Sequence, residues 1–531
     1  MKYLLLALCV AVVAVVAQQP LSVVPYPQTV QMGSGSVTVC PSKFSVTTNS
    51  QSTVFAVALK RYQSLFFPFG NGSQSGCVGV TVSITVSSDD ENLFLGVDES
   101  YTLLTNGQTN TITSNTIYGA MRAIETLKQI IQYNLNSQTY GLVQVKIYDE
   151  PRFPWRGFMV DTARHFLPKN AIFHIIDALG YNKFNTLHLH LVDAQSFPVE
   201  SNTYPNLTNA AFGPGATFSH QDLQEIVAYA QTYGIRVVPE FDIPGHSASW
   251  GVGYPDLVAN CPAYAANINN IALDVSNPNT YTFLQNFFNE MATIFPDQYF
   301  HTGGDEVVTG CWAQDPNMQS WMNKMHFSTI DALTYFEHQL SNMVTAMNKT
   351  KMIWNDPFDY GCTLSTDQLV QVWLTGSLPN VLNAGFKAIV SFAWYFDKQI
   401  PDGNTHYEWQ DTWQDFYNAD PYNGITNNSE NILGGEGTMF AEQISHVNWD
   451  VRVWPRAIGL AERLWSEQSV NSVPLALPRI GAFSCDMSRR GILSGPLFTD
   501  YCPLPEDLTL SPLKPVMEIP KDIMQKLINR Q

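Results

Sequence analysis

Positive charge is scarce in this chain. The 531 residues carry 28 Lys+Arg against 46 Asp+Glu, a formal net charge of −18, and no basic run offsets the deficit. Such a chain repels nucleic acid and anionic membrane surfaces and points to a neutral or cationic ligand. Long apolar runs are missing too. Beyond the amino terminus nothing resembles the roughly 20 residues that a bilayer span requires. No Gly-X-Ser-X-Gly occurs, so the chain lacks the signature of a nucleophilic serine elbow. Cysteine is sparse, at eight. Cys9 falls in the apolar run Tyr3 to Ala17, which follows Met1-Lys2 and ends on a small residue before Gln18. That is the pattern of a secretory signal, residues 1–17. Cys40, Cys77, Cys261, Cys311, Cys362, Cys485 and Cys502 remain, an odd seven that predict three bridges and one free thiol in an oxidising compartment. Sequons at Asn71, Asn206, Asn348 and Asn427 fit the same route, so the expected location is the secretory pathway, lysosomal or extracellular.

What is present is enough apolar material for a large core, at 45% hydrophobic and 12% aromatic. The length predicts two domains, one large. Residues 18–150 read as short alternating strands such as Val80 to Val86 with one amphipathic helix, Tyr118 to Tyr133, giving a small α+β unit without clustered catalytic residues. The texture changes at Asp149-Glu-Pro-Arg-Phe-Pro. From there, in residues 151–531, short apolar runs alternate with helical patterns. Strands are predicted at Gly157 to Asp161, Thr186 to Leu191, Ile235 to Phe241, Tyr299 to Gly303, Lys351 to Trp354, Leu369 to Trp373, Lys387 to Phe392 and Ile432 to Gly435. Helices are predicted at Asn170 to Leu179, Gln221 to Tyr233, Thr280 to Ile294 and Ile330 to Met347. This is an α/β architecture, a (β/α)₈ barrel with a carboxy-terminal extension, whose active site lies at the carboxy-terminal strand ends.

Those ends predict the chemistry. His301 to Glu306, HTGGDE, follows the apolar Tyr299-Phe300 and delivers two adjacent carboxylates, Asp305 and Glu306. Neighbours on a strand face opposite ways, so both serve one site only where the backbone turns, and Gly303-Gly304 supplies the turn. Around the rim the reading places Asp161 with Arg164 and His165, Asp193, Glu240, Asp242 and His246. Trp354-Asn355-Asp356, Trp373, Trp394 to Asp397, Glu436, Phe440 and Glu442 follow. Aromatic faces stack on sugar rings, while carboxylates and Arg156 suit hydroxyls, so a carbohydrate pocket is expected. A metal site built on His188 and His190 with His165, His246 or His301 is the alternative; mid-strand histidines are more often core-filling, so no metal and no cofactor is expected.

The segments DEPRFPWRGFMVDTARHF, KFNTLHLHLVDAQSFP, VVPEFDIPGHSASWG, HTGGDEVVTGCW, FAWYFD and WPRAIGLAERLW resemble the β-N-acetylhexosaminidases of glycoside hydrolase family twenty, close to its lysosomal eukaryotic branch. The resemblance runs from about Pro25 to Cys502. It implies an exo-acting hydrolase that removes terminal β-linked GlcNAc or GalNAc from glycoconjugates or chitin oligosaccharides, with the substrate's own acetamido oxygen as nucleophile. By the same resemblance Glu306 is the general acid/base, Asp305 and Tyr395 hold the acetamido group, and Asp193 and His246 tune Glu306. Arg156 and Glu442 bind the C3 and C4 hydroxyls, Asp397 binds the C6 hydroxyl, and Trp354 and Trp373 wall the acetamido pocket, with Trp465 nearer the core. It further implies bridges Cys40–Cys77, Cys261–Cys311 and Cys485–Cys502, a free Cys362, and a homodimer of the kind lysosomal members commonly form. Phe440 stands where the family usually has Trp, Ala194 where it has a second Asp, and Lys398 follows Asp397. The rival readings are a silent carbohydrate-binding protein and a hydrolase specific for chitobiose or another disaccharide.

Overall fold

The computed structural model describes residues 21–531 apart from 108, 399–412, 507, 509, 512 and 516; the expected signal segment lies outside the described residues. Eight parallel strands close into a barrel: β7 (Trp155–Asp161), β8 (Thr186–Val192), β9 (Arg236–Phe241), β10 (Tyr299–His301), β11 (Thr350–Trp354), β12 (Leu369–Val372), β13 (Lys387–Val390) and β14 (Ile432–Met439). Each pairs with the next in sequence, and β14 closes the ring on β7 through Gly434↔Trp155 to Met439↔Val160. All eight strands expected from the sequence are here. The expected helices correspond to Lys169–Tyr181, His220–Gln231, Pro278–Ala292 and Thr329–Ala346. Two of these begin at a Ser whose side chain and a third-position Asp cap one another, Ser219 with Asp222 and Ser328 with Asp331, which satisfies orphan N–H groups of the first turn.

Before the barrel, β1 (Thr29–Thr48), β2 (Val78–Ser88), β3 (Tyr101–Thr105), β4 (Asn110–Thr116), β5 (Ile131–Asn134) and β6 (Thr139–Asp149) form one sheet in the order β1-β2-β4-β3-β6-β5. Helices α1 (Thr53–Leu65) and α2 (Ile117–Ile130) accompany it. The helix expected over Tyr118 to Tyr133 stops at Ile130. Ile131, Gln132, Tyr133 and Asn134 are taken by pairing with β6 instead, a tertiary preference that no local periodicity reveals.

α2 is buried almost all round because it lies between this sheet and the barrel. Its Arg122 donates to the carbonyls of Phe184, Tyr233 and Gly234 at the foot of the barrel and to Glu99. Glu99 also receives Arg156 through both carboxylate oxygens at 2.7 Å. Burial opposes charge on Glu99, yet Arg156 and Arg122 overcome it and hold the carboxyl below its usual range. The disulfides Cys40–Cys77, Cys261–Cys311 and Cys485–Cys502 are formed and Cys362 is a buried free thiol. Among the described residues no helix is long and apolar enough to cross a membrane.

Candidate active site

The strand ends and the loops that follow them enclose a cavity of about 220 Å³, lined by Arg164, His246, Asp305, Glu306, Trp354, Trp373, Tyr395, Asp397, Lys398, Phe440 and Glu442. β10 ends at His301, and the chain then reverses through Gly303 at φ +70° and Gly304 at φ +100°. A Cβ on Gly303 would lie 1.7 Å from Asp242 Oδ1, so only glycine fits. The turn delivers Asp305 to the cavity floor and Glu306 to its mouth, where 60% of the Glu306 side chain stays exposed. Glu306 itself sits at φ +48°, a left-handed backbone that costs a non-glycine residue about 1–2 kcal/mol.

Charge is arranged in layers beneath that mouth. His246 Nε2 lies 3.5 Å from Glu306 and 3.7 Å from Asp305, and its Nδ1 lies 3.1 Å from Asp193. Burial alone would strip the His246 proton, but Asp193 and the neighbouring carboxylates hold it well above the usual imidazole range. The His246 ring beside it in turn keeps Glu306 below the usual carboxyl range. Burial pushes Asp305 up and, joined by the charge of Asp305, lifts Asp242 strongly and Asp356 to about 7. Burial also raises Asp397 to about 6 and the Tyr395 hydroxyl well above its ordinary value. Tyr395 stacks on Phe440 at 5.9 Å between ring centres, and Arg164 lies 5.2 Å over the far aromatic ring.

Below the cavity the barrel axis is ionic. His190 places Nδ1 2.6 Å from Glu240 and Nε2 2.8 Å from Asp193. His188 places Nδ1 2.7 Å from Glu436 and Nε2 3.0 Å from Glu240. A neutral imidazole has one N–H, so a ring with carboxylate oxygens at both nitrogens is an imidazolium. Burial opposes both charges; the flanking carboxylates nevertheless raise His188 to about 9 and His190 further. His301 is the exception: burial lowers it to about 3, and its Nδ1 accepts the Gly303 N–H at 2.9 Å. His188 with Glu240 and His301, and His190 with Asp193 and Asp242, bring their ligand atoms within 4.8 Å of one another; with carboxylates beside both ring nitrogens, His188 and His190 would have to give up protons before binding a metal.

Ten of the eleven expected catalytic and binding residues gather here. Asp305, Glu306, Tyr395, His246, Trp354, Trp373, Asp397, Phe440 and Glu442 line the cavity, and Asp193 stands directly behind it. Arg156 does not. It is the second residue of β7, 1% exposed at the amino-terminal foot of the barrel, with its guanidinium bound to Glu99, Phe153 O and Lys183 O. Arg164, past the other end of the same strand, lines the cavity instead, held by Asp193 at 2.8 Å and Asp161 at 3.3 Å. Glu240 and Glu436, placed at the rim by the sequence, are fully buried within the ladder, because β14 runs on to Met439 rather than ending at Gly435. Trp465 is buried beside Asp149, as expected of a supporting residue.

Residues 153–468 match the catalytic domain of glycosyl hydrolase family 20, and residues 23–130 match a domain described as beta-acetyl hexosaminidase like. The chain belongs to glycosyl hydrolase family 20. This family 20 chain is 60% identical over its whole length to β-hexosaminidase subunit A1 of Dictyostelium discoideum, covering 100% of both. It is 34% identical to the mouse β-hexosaminidase subunit beta, covering 93% of this chain and 95% of that one. The crystal structure of a Flavobacterium johnsoniae chitobiase superposes with a TM-score of 0.78 at 30% identity, over 89% of this chain and 73% of the other. The family 20 chain is a glycoside hydrolase of the β-hexosaminidase type, and the resemblance seen in its motifs holds.

Proposed function

We propose that the cavity binds one terminal, non-reducing 2-acetamido sugar and cleaves its β-glycosidic bond with retention, the acetamido oxygen attacking the anomeric carbon. The observation that carries this reading is the split pair on one turn, Asp305 enclosed at the floor and Glu306 open at the mouth. A cavity of about 220 Å³ is smaller than the roughly 300–1,000 Å³ of sites for larger ligands, which favours a single ring and exo action.

Glu306 donates a proton to the departing oxygen and then takes one from water. In the open cavity His246 favours the Glu306 carboxylate. A bound sugar strips water from that exposed carboxyl, and desolvation raises its proton affinity, which returns the acid form. Asp305 orients the acetamido N–H and stabilises positive charge on the oxazolinium, and Tyr395 donates to the acetamido oxygen. Trp354, Trp373 and Phe440 wall the acetamido group. Asp397 takes the C6 hydroxyl, while Arg164, in place of Arg156, joins Glu442 on the C3 and C4 hydroxyls.

Paired aryl β-glycosides, one with a 2-acetamido group and one with a 2-hydroxyl, test the reading at acid pH. Release from the acetamido sugar alone is expected. Equal release would return the site to ordinary two-carboxylate chemistry, and no release from either would leave a silent sugar-binding protein. Short chitin oligomers separate the disaccharide-specific rival, since stepwise loss of single sugars excludes it. The four sequon asparagines, Asn71, Asn206, Asn348 and Asn427, are all exposed, which supports a glycoprotein of the secretory pathway. Light scattering on the purified glycoprotein distinguishes one chain from the homodimer.

A further inference from the structure

Asp356 has no part in the chemistry above, yet it touches both ends of the cavity. It opens the helical turn Asp356–Asp359 directly after β11 and is 3% exposed. Its Oδ1 accepts the main-chain N–H of Glu306 at 3.1 Å, and its Oδ2 accepts the indole N–H of Trp373 at 2.6 Å. The flanking residues brace the same two points. Asn355 Oδ1 accepts the Trp373 N–H at 2.8 Å, and Pro357 packs so closely on Gly304 that a Cβ there would meet its Cγ at 3.0 Å.

The need for a tether is local. Glu306 holds a left-handed backbone after two positive-φ glycines, so nothing in the turn itself fixes where its carboxyl points, and strained conformations persist only where the surroundings over-determine them. A carboxylate suits the task better than an amide does. Both of its oxygens face N–H donors, whereas an Asn side chain offers one acceptor and turns its NH₂ against the second donor. Burial and the charge of Asp305 raise the proton affinity of Asp356, to about 7, so the ionised form accepts both N–H groups and the protonated form keeps one free acceptor oxygen for them.

We propose that Asp356 is a positioning residue that ties the acid/base Glu306 to the Trp373 wall, so that a sugar seated against Trp373 finds the Glu306 proton aimed at its glycosidic oxygen. The inference rests on the hexosaminidase reading above, because it assigns Glu306 the proton transfer.

The test uses leaving groups. A 2,4-dinitrophenyl glycoside of the 2-acetamido sugar departs without protonation, whereas a β-linked disaccharide requires it. For wild type, Asp356→Asn and Asp356→Ala the ratio of kcat/KM on the two substrates is measured; the ratio does not depend on how much of each preparation is folded. Asp356→Ala should lower the disaccharide:dinitrophenyl ratio by about 10–100-fold, a fraction of the 10²–10⁴ that general acid catalysis supplies, with Asp356→Asn falling between it and wild type. The loss should appear in kcat rather than KM. An unchanged ratio in an active enzyme, both substrates slowing together or neither slowing, overturns the inference while leaving the hydrolase reading intact. A wild-type chain that cleaves neither substrate overturns both.

Discussion

Glu306 and Asp305 differ by one position and by almost everything else. One carboxyl is exposed and held in its ionised form by His246; the other is enclosed and pushed toward its proton. Glu306→Gln keeps the shape and removes the proton, so turnover of a disaccharide should fall by about 10²–10⁴ while the dinitrophenyl glycoside is largely spared. Steady-state kinetics on the two substrates check it, and an unaffected disaccharide rate would refute the assignment. Gly303→Ala should be the more damaging change although it touches no substrate. Its Cβ would overlap Asp242 Oδ1, so the turn must move and carry both carboxylates with it. Loss of activity together with a lowered Tm is expected, and a stable, active Gly303→Ala enzyme would contradict the close contact. At this scale the sequence was readable wherever a residue's role follows from its neighbours along the chain, as in HTGGDE. It misled at Arg156. Two arginines flank one strand in WRGFMVDTAR, and only strand direction decides which reaches the site. The predicted start at Gly157 already set Arg156 at the foot and Arg164 beyond the top, a signal that outweighs the hydroxyl-binding role carried over to Arg156.

The strands show a different kind of hidden information. Alternation on β8 puts His188 and His190 on one inward face, and register sets His190 beside Glu240 of β9. Glu436 reaches His188 from β14, 248 residues away in sequence. A lone HLH cannot announce such partners, because they are supplied by barrel closure rather than by spacing, so the expectation of plain core filling was reasonable and incomplete. The ladder has a measurable weight. Glu240 accepts from His190 and the Trp354 indole at 2.6 and 2.7 Å and lies 3.0 Å from His188 Nε2. Glu240→Gln takes one of two carboxylates from each buried imidazolium, leaving Glu436 to His188 and Asp193 to His190, and removing one partner of a buried pair costs about 3–5 kcal/mol. Denaturant unfolding of wild type and variant should differ by that order. A difference under about 1 kcal/mol, the range of exposed pairs, would mean that the histidines are not charged.

The whole molecule repeats the same device at its domain boundary. The Glu99 bridge to Arg122 and Arg156 seats the first sheet on the barrel foot, so the arginine expected to hold sugar instead holds the two domains together. Eight strands, their order and the site's end of the barrel were legible from alternation and turn chemistry; which buried charges meet was not. Taken together these charges set a pH window. Glu99, Asp193 and Glu240 have proton affinities depressed by their cationic partners despite burial. The stability they contribute is present above their unfolded values near about 4 and is lost as pH falls below them. Asp397, Asp356 and His188 are raised, to about 6, about 7 and about 9. The stability each contributes is fully present below its unfolded value and is lost as pH climbs through the folded value. The first two act against stability from about pH 4 to about pH 7, and His188 from about 6.5 upward. Stability should therefore peak on the acid side, with a lower Tm at pH 8 than at pH 5 in scanning calorimetry. Asp397→Asn should flatten the part of the slope below about pH 6, because an amide has no proton to lose. A Tm that is higher at pH 8 would mean that the raised carboxyls and the histidine ladder do not govern the balance.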